Sequence, residues 1–242
     1  MRRISRIFRE AATVAMVAVF MVSCGNGKST EPGSADAARQ LMKEIKGTYI
    51  ELFSENTLLN ARWDSLWLDE CAKAVGKESA QATASMLKSS MSGDLTGEAA
   101  TERFGDGSDG WKNGFQFNCD FQGGIEKFVI DGKGHIKGLD SAGNEVFSHK
   151  YTFTSYNKEL DFTIFKSEDN NNDEFAYFAF RSDTPAKTHH IEFRYGTDPE
   201  SLNMLCTEKY AYWMAAGVLE GNESEQAESI RLFVTENTSQ NK

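Results

Sequence analysis

Between Gly114 and Gly196 the chain repeats one pattern, a short run rich in aromatic and β-branched residues followed by turn formers. The runs are FQFNCDF, IEKFVIDG, HIKGLDSAGNEVFSHKYTFTS, ELDFTIFKS, EFAYFAFRS and THHIEFRYG, and DGKG, SAGN, SYNK, EDNNNDE, DTPAK and TDPES supply the turns. Consecutive strands joined by tight turns pair as an antiparallel meander. An open sheet of this length leaves edges that invite pairing with other chains, and closure into an up-and-down barrel removes them. The pattern therefore predicts a mainly β fold built on a calycin- or lipocalin-like antiparallel barrel.

Upstream the period changes. From Ala35 to about Met91, ARQLMKEIKG, LLNARWDSLWLDECAKAVG and SAQATASMLKSSM carry apolar residues at three- and four-residue spacing, the signature of helices. Trp63, Leu66, Trp67 and Cys71 form one stripe, which reads as core packing. KGTYIELF lies between the first two helices and is β-like, so it is expected to be the first strand, with a helical insertion over about 57–92. The Gly- and Asp-rich stretch from Gly93 to Gly114 reads as a solvated connector; Asp106 and Asp109 have no calcium-loop spacing. EDNNNDE places Asp169, Asn171 and Asp173 like the start of an EF-hand, but its glycine is absent and Phe180 stands where the closing glutamate belongs, so a hairpin tip is expected. SLNMLCTEKYAYWMAAGVLEG reads as a helix or irregular cap, closing a domain over 38–220, and 221–242 as a polar tail.

The N-terminus directs the chain out of the cytoplasm. MRRISRIFRE is basic, AATVAMVAVFMVS is apolar but too short to span a bilayer, and small residues precede Cys24. Met21-Val22-Ser23-Cys24 resembles the lipobox of bacterial lipoproteins, which predicts cleavage after residue 23, lipidation of Cys24, a flexible tether over 24–37 and a periplasmic or cell-surface position in the bacterial envelope. Gly27-Lys28-Ser29 lacks the upstream glycine and strand of a phosphate-binding loop. Cleavage removes four arginines and one glutamate from a chain of net charge -10, so the mature surface is more acidic still. Such a surface repels nucleic acid and concentrates cations. Cys71, Cys119 and Cys206 allow one intrachain disulfide, for which Cys119–Cys206 is the expected pair, and no C-x-x-C spacing occurs.

PAKTHHIEFRYG poses the functional question. Neighbours on a strand face opposite sides, so His189 and His190 cannot share a pocket, whereas His190 and Glu192 can. From about Lys46 to Gly217 the order of pieces resembles the ZinT (YodA) family of secreted zinc-binding proteins. The resemblance is carried by KGTYIELF, by CDFQGGIEKFVIDGKGHIKGLDSAGNEVFSHKYTF and most specifically by FAYFAFRSDTPAKTHHIEFRYGTDPESL. It places His190 on the first histidine of that family's strand pair and Glu192 on the second, with Thr184 where a histidine follows Ser182-Asp183. It implies a site for zinc or another divalent metal at His190, Glu192 and Asp183 in the barrel mouth. One imidazole and two carboxylates bind zinc less tightly than three imidazoles and discriminate less against manganese. The partners it implies are a divalent ion, the membrane through the lipid anchor, and a metal transporter component. His189, His135 and His149 are expected to be surface residues. The absence of G-x-S-x-G, of H-E-x-x-H and of a cysteine-histidine nucleophile argues against an enzyme. Two other readings compete: a carrier holding an apolar small molecule inside the barrel, and a non-catalytic interaction lipoprotein with a degenerate metal site.

Overall fold

The computed structural model describes residues 31–90, 118–169, 173–203 and 213–238. Cys24 and its lipobox, the connector with Asp106 and Asp109, and Cys206 with its expected disulfide lie outside the described residues. Eight antiparallel strands close into a barrel in chain order: β1 (Gly47–Glu51), β2 (Lys127–Ile130), β3 (His135–Leu139), β4 (Glu145–Asn157), β5 (Phe162–Ser167), β6 (Tyr177–Arg181), β7 (Ile191–Gly196) and β8 (Ala215–Leu219). The expected barrel and first strand are present, but the closing strand comes from the stretch read as a helix or cap. Ala215–Leu219 satisfies both remaining edges: Tyr49 pairs with Leu219, and Ile191 with Gly217. FQFNCDF, expected as a strand, contributes in its described part only a bridge from Asn118 to Trp213.

Turn chemistry sets the register. Asp131 accepts hydrogen bonds from the backbone N–H of Lys133 and His135 at 2.6 and 2.9 Å, fixing the DGKG turn between β2 and β3. Gly134 adopts φ 101°, and a Cβ there would lie 2.9 Å from the Tyr151 carbonyl oxygen, so only glycine fits. Asp140 repeats the device between β3 and β4, accepting from Ala142 and Asn144.

Aromatic rings fill the barrel. Phe128 lies 4.8 Å from Phe121, 5.1 Å from Phe193 and 5.3 Å from Tyr195, centroid to centroid, and Phe178 is 5.3 Å from Tyr195. These are contact distances for rings. The Tyr195 hydroxyl accepts from the Gln122 N–H and donates to the Gln122 carbonyl, and Tyr151 donates to the Phe175 carbonyl at 2.6 Å, so the polar tips are satisfied inside. Helix α1 (Ala35–Glu44) is capped by Ser34, which accepts from Ala37, and adds Ala38, Leu41 and Met42 to the same core.

A second core lies outside the wall. Helices α2 (Asp64–Val75) and α3 (Lys77–Ser90), with the C-terminal helix α6 (Glu223–Thr238), which follows the one-turn helices α4 (Pro185–Thr188) and α5 (Pro199–Leu202), pack Trp67, Cys71, Leu87 and Ile230 against Ala216 and Val218 of β8. Trp67 Nε1 donates to the Leu58 carbonyl at 2.8 Å, tying the expected tryptophan stripe to the loop after β1. The stretch read as a polar tail is therefore largely helix, because its apolar Ile230, Phe233 and Val234 recur at three- and four-residue spacing and find this second core.

Candidate cation-binding site

Arg181 ends β6, and the chain returns to β7 through Ser182, Asp183, Thr184, the one-turn helix α4 (Pro185–Thr188) and His189. Pro185 starts the turn with its φ already suitable, and His189 ends it in the left-handed region at φ 66°. The crossover is pinned throughout. Ser182 donates to Asp161, Lys187 Nζ donates to the Ser182 carbonyl at 2.9 Å, and Ser229 of α6 donates to the His189 carbonyl at 3.3 Å.

This crossover brings together the three side chains singled out from the sequence. His190 lies just before β7; its Nδ1 donates to the Thr188 carbonyl at 2.7 Å, which turns Nε2 toward Glu192 Oε1 at 3.6 Å. Arg181 was not anticipated. Its Nε stands 3.4 Å from Asp183 Oδ2 and 3.4 Å from Glu192 Oε2. A signal for it existed in the hairpin register: Phe180 pairs with Phe193, so one step further Arg181 stands opposite Glu192 on the other face.

The position differs from the expected barrel mouth. Ile191 and Phe193 point inward into the core, so Glu192 between them points outward, beside Ala216, which belongs to the external core. The cluster therefore sits on the outer wall, near α6. Its groups are half-buried, with 14% side-chain exposure for His190 and 29% for Glu192. Burial works against charge on His190, but Glu192 beside it prevails and holds the imidazole toward its protonated form. Burial also opposes the Glu192 charge, and there His190 and Arg181 prevail and lower the carboxyl. Asp183 goes the other way, raised by burial and by Glu192 despite Arg181. Glu236 on α6 is raised by burial and then by Glu192, so a third carboxylate shares this field. Thr184 is fully buried, and its hydroxyl has no hydrogen-bond partner among the described residues.

The donor chemistry suits zinc, but the arrangement does not. A guanidinium nitrogen lies between the two carboxylates, and among the described residues no three His, Cys, Asp or Glu side chains are grouped to hold a metal ion.

The other three histidines, read as surface residues, are all half-buried. His189 does not lie on β7, as the alternation argument supposed, but precedes it as the left-handed cap of α4. His135 faces Ser148 Oγ at 3.3 Å. His149 stacks on Phe147 at 5.5 Å, and its ring nitrogens face Asp169 at 2.8 Å and Asp173 at 3.4 Å. The acidic tip between β5 and β6 thus folds back onto β4, where an imidazole can meet both carboxylates.

No family model and no curated protein matches the sequence. Among solved structures, the chain is similar to Zn(II)-bound AdcA from Streptococcus pneumoniae, at 13% identity and a TM-score of 0.46, over 79% of this chain and 35% of that one. It is similar at the same identity and TM-score to the Zn(II)-bound ZinT-like domain of that protein, over 79% of this chain and 89% of the domain. The likeness is one of shape.

Proposed function

We propose that the chain is a non-enzymatic lipoprotein of the bacterial envelope, anchored through Cys24, that captures zinc or a related divalent cation at Asp183, His190 and Glu192 and presents it to a transport component. The observation that supports this is the cluster itself: the crossover brings Asp183 and Glu192 to one positive charge, with His190 beside Glu192. A place that stabilises one cation has the carboxylates to stabilise another. The acidic chain concentrates cations around it.

Zinc calorimetry on the full chain tests this reading. Heat that disappears in His190→Ala, weakens in Glu192→Ala and persists in His189→Ala is the expected pattern, because His190 and Glu192 are members of the proposed set and His189 is not. A protein that takes up no zinc, or loses it equally in both histidine variants, leaves the second reading, an interaction lipoprotein whose cluster is structural. That reading is favoured by the position of Arg181. The anchor is tested separately: Cys24→Ala should shift the protein from the membrane to the soluble extracytoplasmic fraction, since stable attachment needs the acyl chains.

A further inference from the structure

We propose that His149 is a proton-operated clasp that seats Phe175 in the end of the barrel where β6 begins: as an imidazolium it holds both Asp169 and Asp173, and as a neutral ring it lets go of Asp173. The device involves none of Asp183, His190 and Glu192 and lies at the opposite end of β6 from Arg181.

His149 shares the inward face of β4 with Phe147 and Tyr151, both in the barrel core. Its Nδ1 stands 2.8 Å from Asp169 Oδ2, and its Nε2 stands 3.4 Å from Asp173 Oδ2. The other oxygen of Asp173, Oδ1, accepts the backbone N–H of Phe175 at 2.9 Å. One carboxylate thus connects the imidazole to the backbone that carries the Phe175 ring. That ring is buried between Phe147 at 4.1 Å and Tyr195 at 5.5 Å, centroid to centroid, and a Cβ on Gly123 would come within 2.8 Å of it.

An imidazolium has an N–H on each nitrogen and can donate to both aspartates at once, whereas the neutral ring has one N–H and one lone pair. The shorter contact to Asp169 favours the N–H on Nδ1, so deprotonation leaves the Nε2 lone pair facing an Asp173 oxygen. An attraction becomes a repulsion, and imidazole is the side chain that makes this change between pH 5 and 8. The other groups around it do not follow. Tyr151, 6.2 Å away on β4, is raised by burial and then by Asp173 and Asp169, so it stays neutral and keeps donating to the Phe175 carbonyl. On β3 the partner of His149 is Ile136, while His135 beside it meets Ser148. Lys150 and Glu168 pair with each other at 3.0 Å, and Glu174 lies against Gly123. Phe175 is therefore loosened at high pH and still tethered through Tyr151.

Amide hydrogen exchange on the full chain at pH 5 and pH 8, corrected for the intrinsic pH dependence of exchange, tests the clasp. The reporters are the N–H groups of Phe175 and Ala176, both of which donate to Asp173. In wild type their protection should fall by about fivefold from pH 5 to pH 8, while amides within β6 and β7 keep theirs. His149→Gln has one donor and one acceptor at both pH values, so its protection should not change with pH. Asp173→Asn should reverse the wild-type trend, because its side-chain amide can donate to a neutral Nε2 and not to an imidazolium; it also carries the test if His149→Gln fails to fold. No change in wild type, a fall that persists in either variant, or a fall shared by β6 and β7 overturns the clasp.

Discussion

Strand β7 has two faces with opposite chemistry. Inward, Ile191, Phe193 and Tyr195 are almost fully buried among rings from β2 and β6. Outward, Glu192 meets Arg181 and His190, and Arg194 is fully buried with its guanidinium donating to the Leu202 carbonyl at 3.4 Å. Burying each inward ring stabilises the fold by roughly 1.5–3 kcal/mol, whereas each outward charge is desolvated and must be answered by a partner. The alternation of one strand thus separates stability from recognition. It also bears on the carrier reading, because rings at contact distance occupy the space an apolar guest would need.

The contrast is broken most forcefully from the inside. Phe128 is fully buried and within about 6 Å of five other rings. Phe128→Ala should cost about 3–5 kcal/mol, by lost transfer energy and by the cavity it leaves, measured as a shift in the urea midpoint at unchanged slope. A loss below about 1 kcal/mol would mean that the interior yields easily, and the carrier reading would recover.

The inner face was legible in the sequence and the outer one only in part. Period-two alternation in IEKFVIDG and EFAYFAFRS identified strands, and their turns identified neighbours, because both signals are local. The closing strand was hidden: AAGVL has no alternation, since Ala215 and Gly217 face the crowded interior while Ala216 and Val218 face a helical core. Small residues serve both sides there. A Cβ on Gly217 would come within 3.1 Å of Tyr49 Cβ. The grouping of Asp183, His190 and Glu192 was legible through their spacing and the family resemblance. Arg181 was not, because its role comes from strand pairing across a crossover, and the side of the wall they occupy depends on which of two alternating faces the aromatics claim.

An intermediate effect is expected at the inner rim of the wall. Glu51 pairs with inward-facing Gly217 and accepts the Phe121 N–H at 2.7 Å. Burial, aided by Asp120 and Glu126 and opposed by that hydrogen bond, pushes its carboxyl from 4.5 up to about 7. The folded state therefore holds this proton more tightly than the unfolded state does. Its penalty is absent below about pH 4.5, grows as pH rises toward 7 and is constant above. Partial exposure reduces the effect, so Glu51→Gln, which can still accept from Phe121, should stabilise by about 1–2 kcal/mol at pH 8 and by nothing at pH 4. Equal differences at the two pH values would show that packing, not charge, is being measured.

The smallest effect separates backbone from side chain at the outer site. His189 holds φ 66°, donates its N–H to the Pro185 carbonyl at 3.1 Å and receives Ser229 on its own carbonyl. All of these are backbone functions. Glycine enters the left-handed region without the Cβ penalty, which favours the fold by roughly 1 kcal/mol, but it also loosens the unfolded chain by a comparable amount. His189→Gly should therefore change stability by no more than about 0.5 kcal/mol and leave zinc affinity unaltered. His190→Gly should do otherwise, because it removes the imidazole that bridges the Thr188 carbonyl and Glu192. If His189→Gly instead cost as much as His190→Gly in both thermal unfolding and zinc titration, the division between a structural and a functional histidine would fail, and the crossover would have to act as one unit.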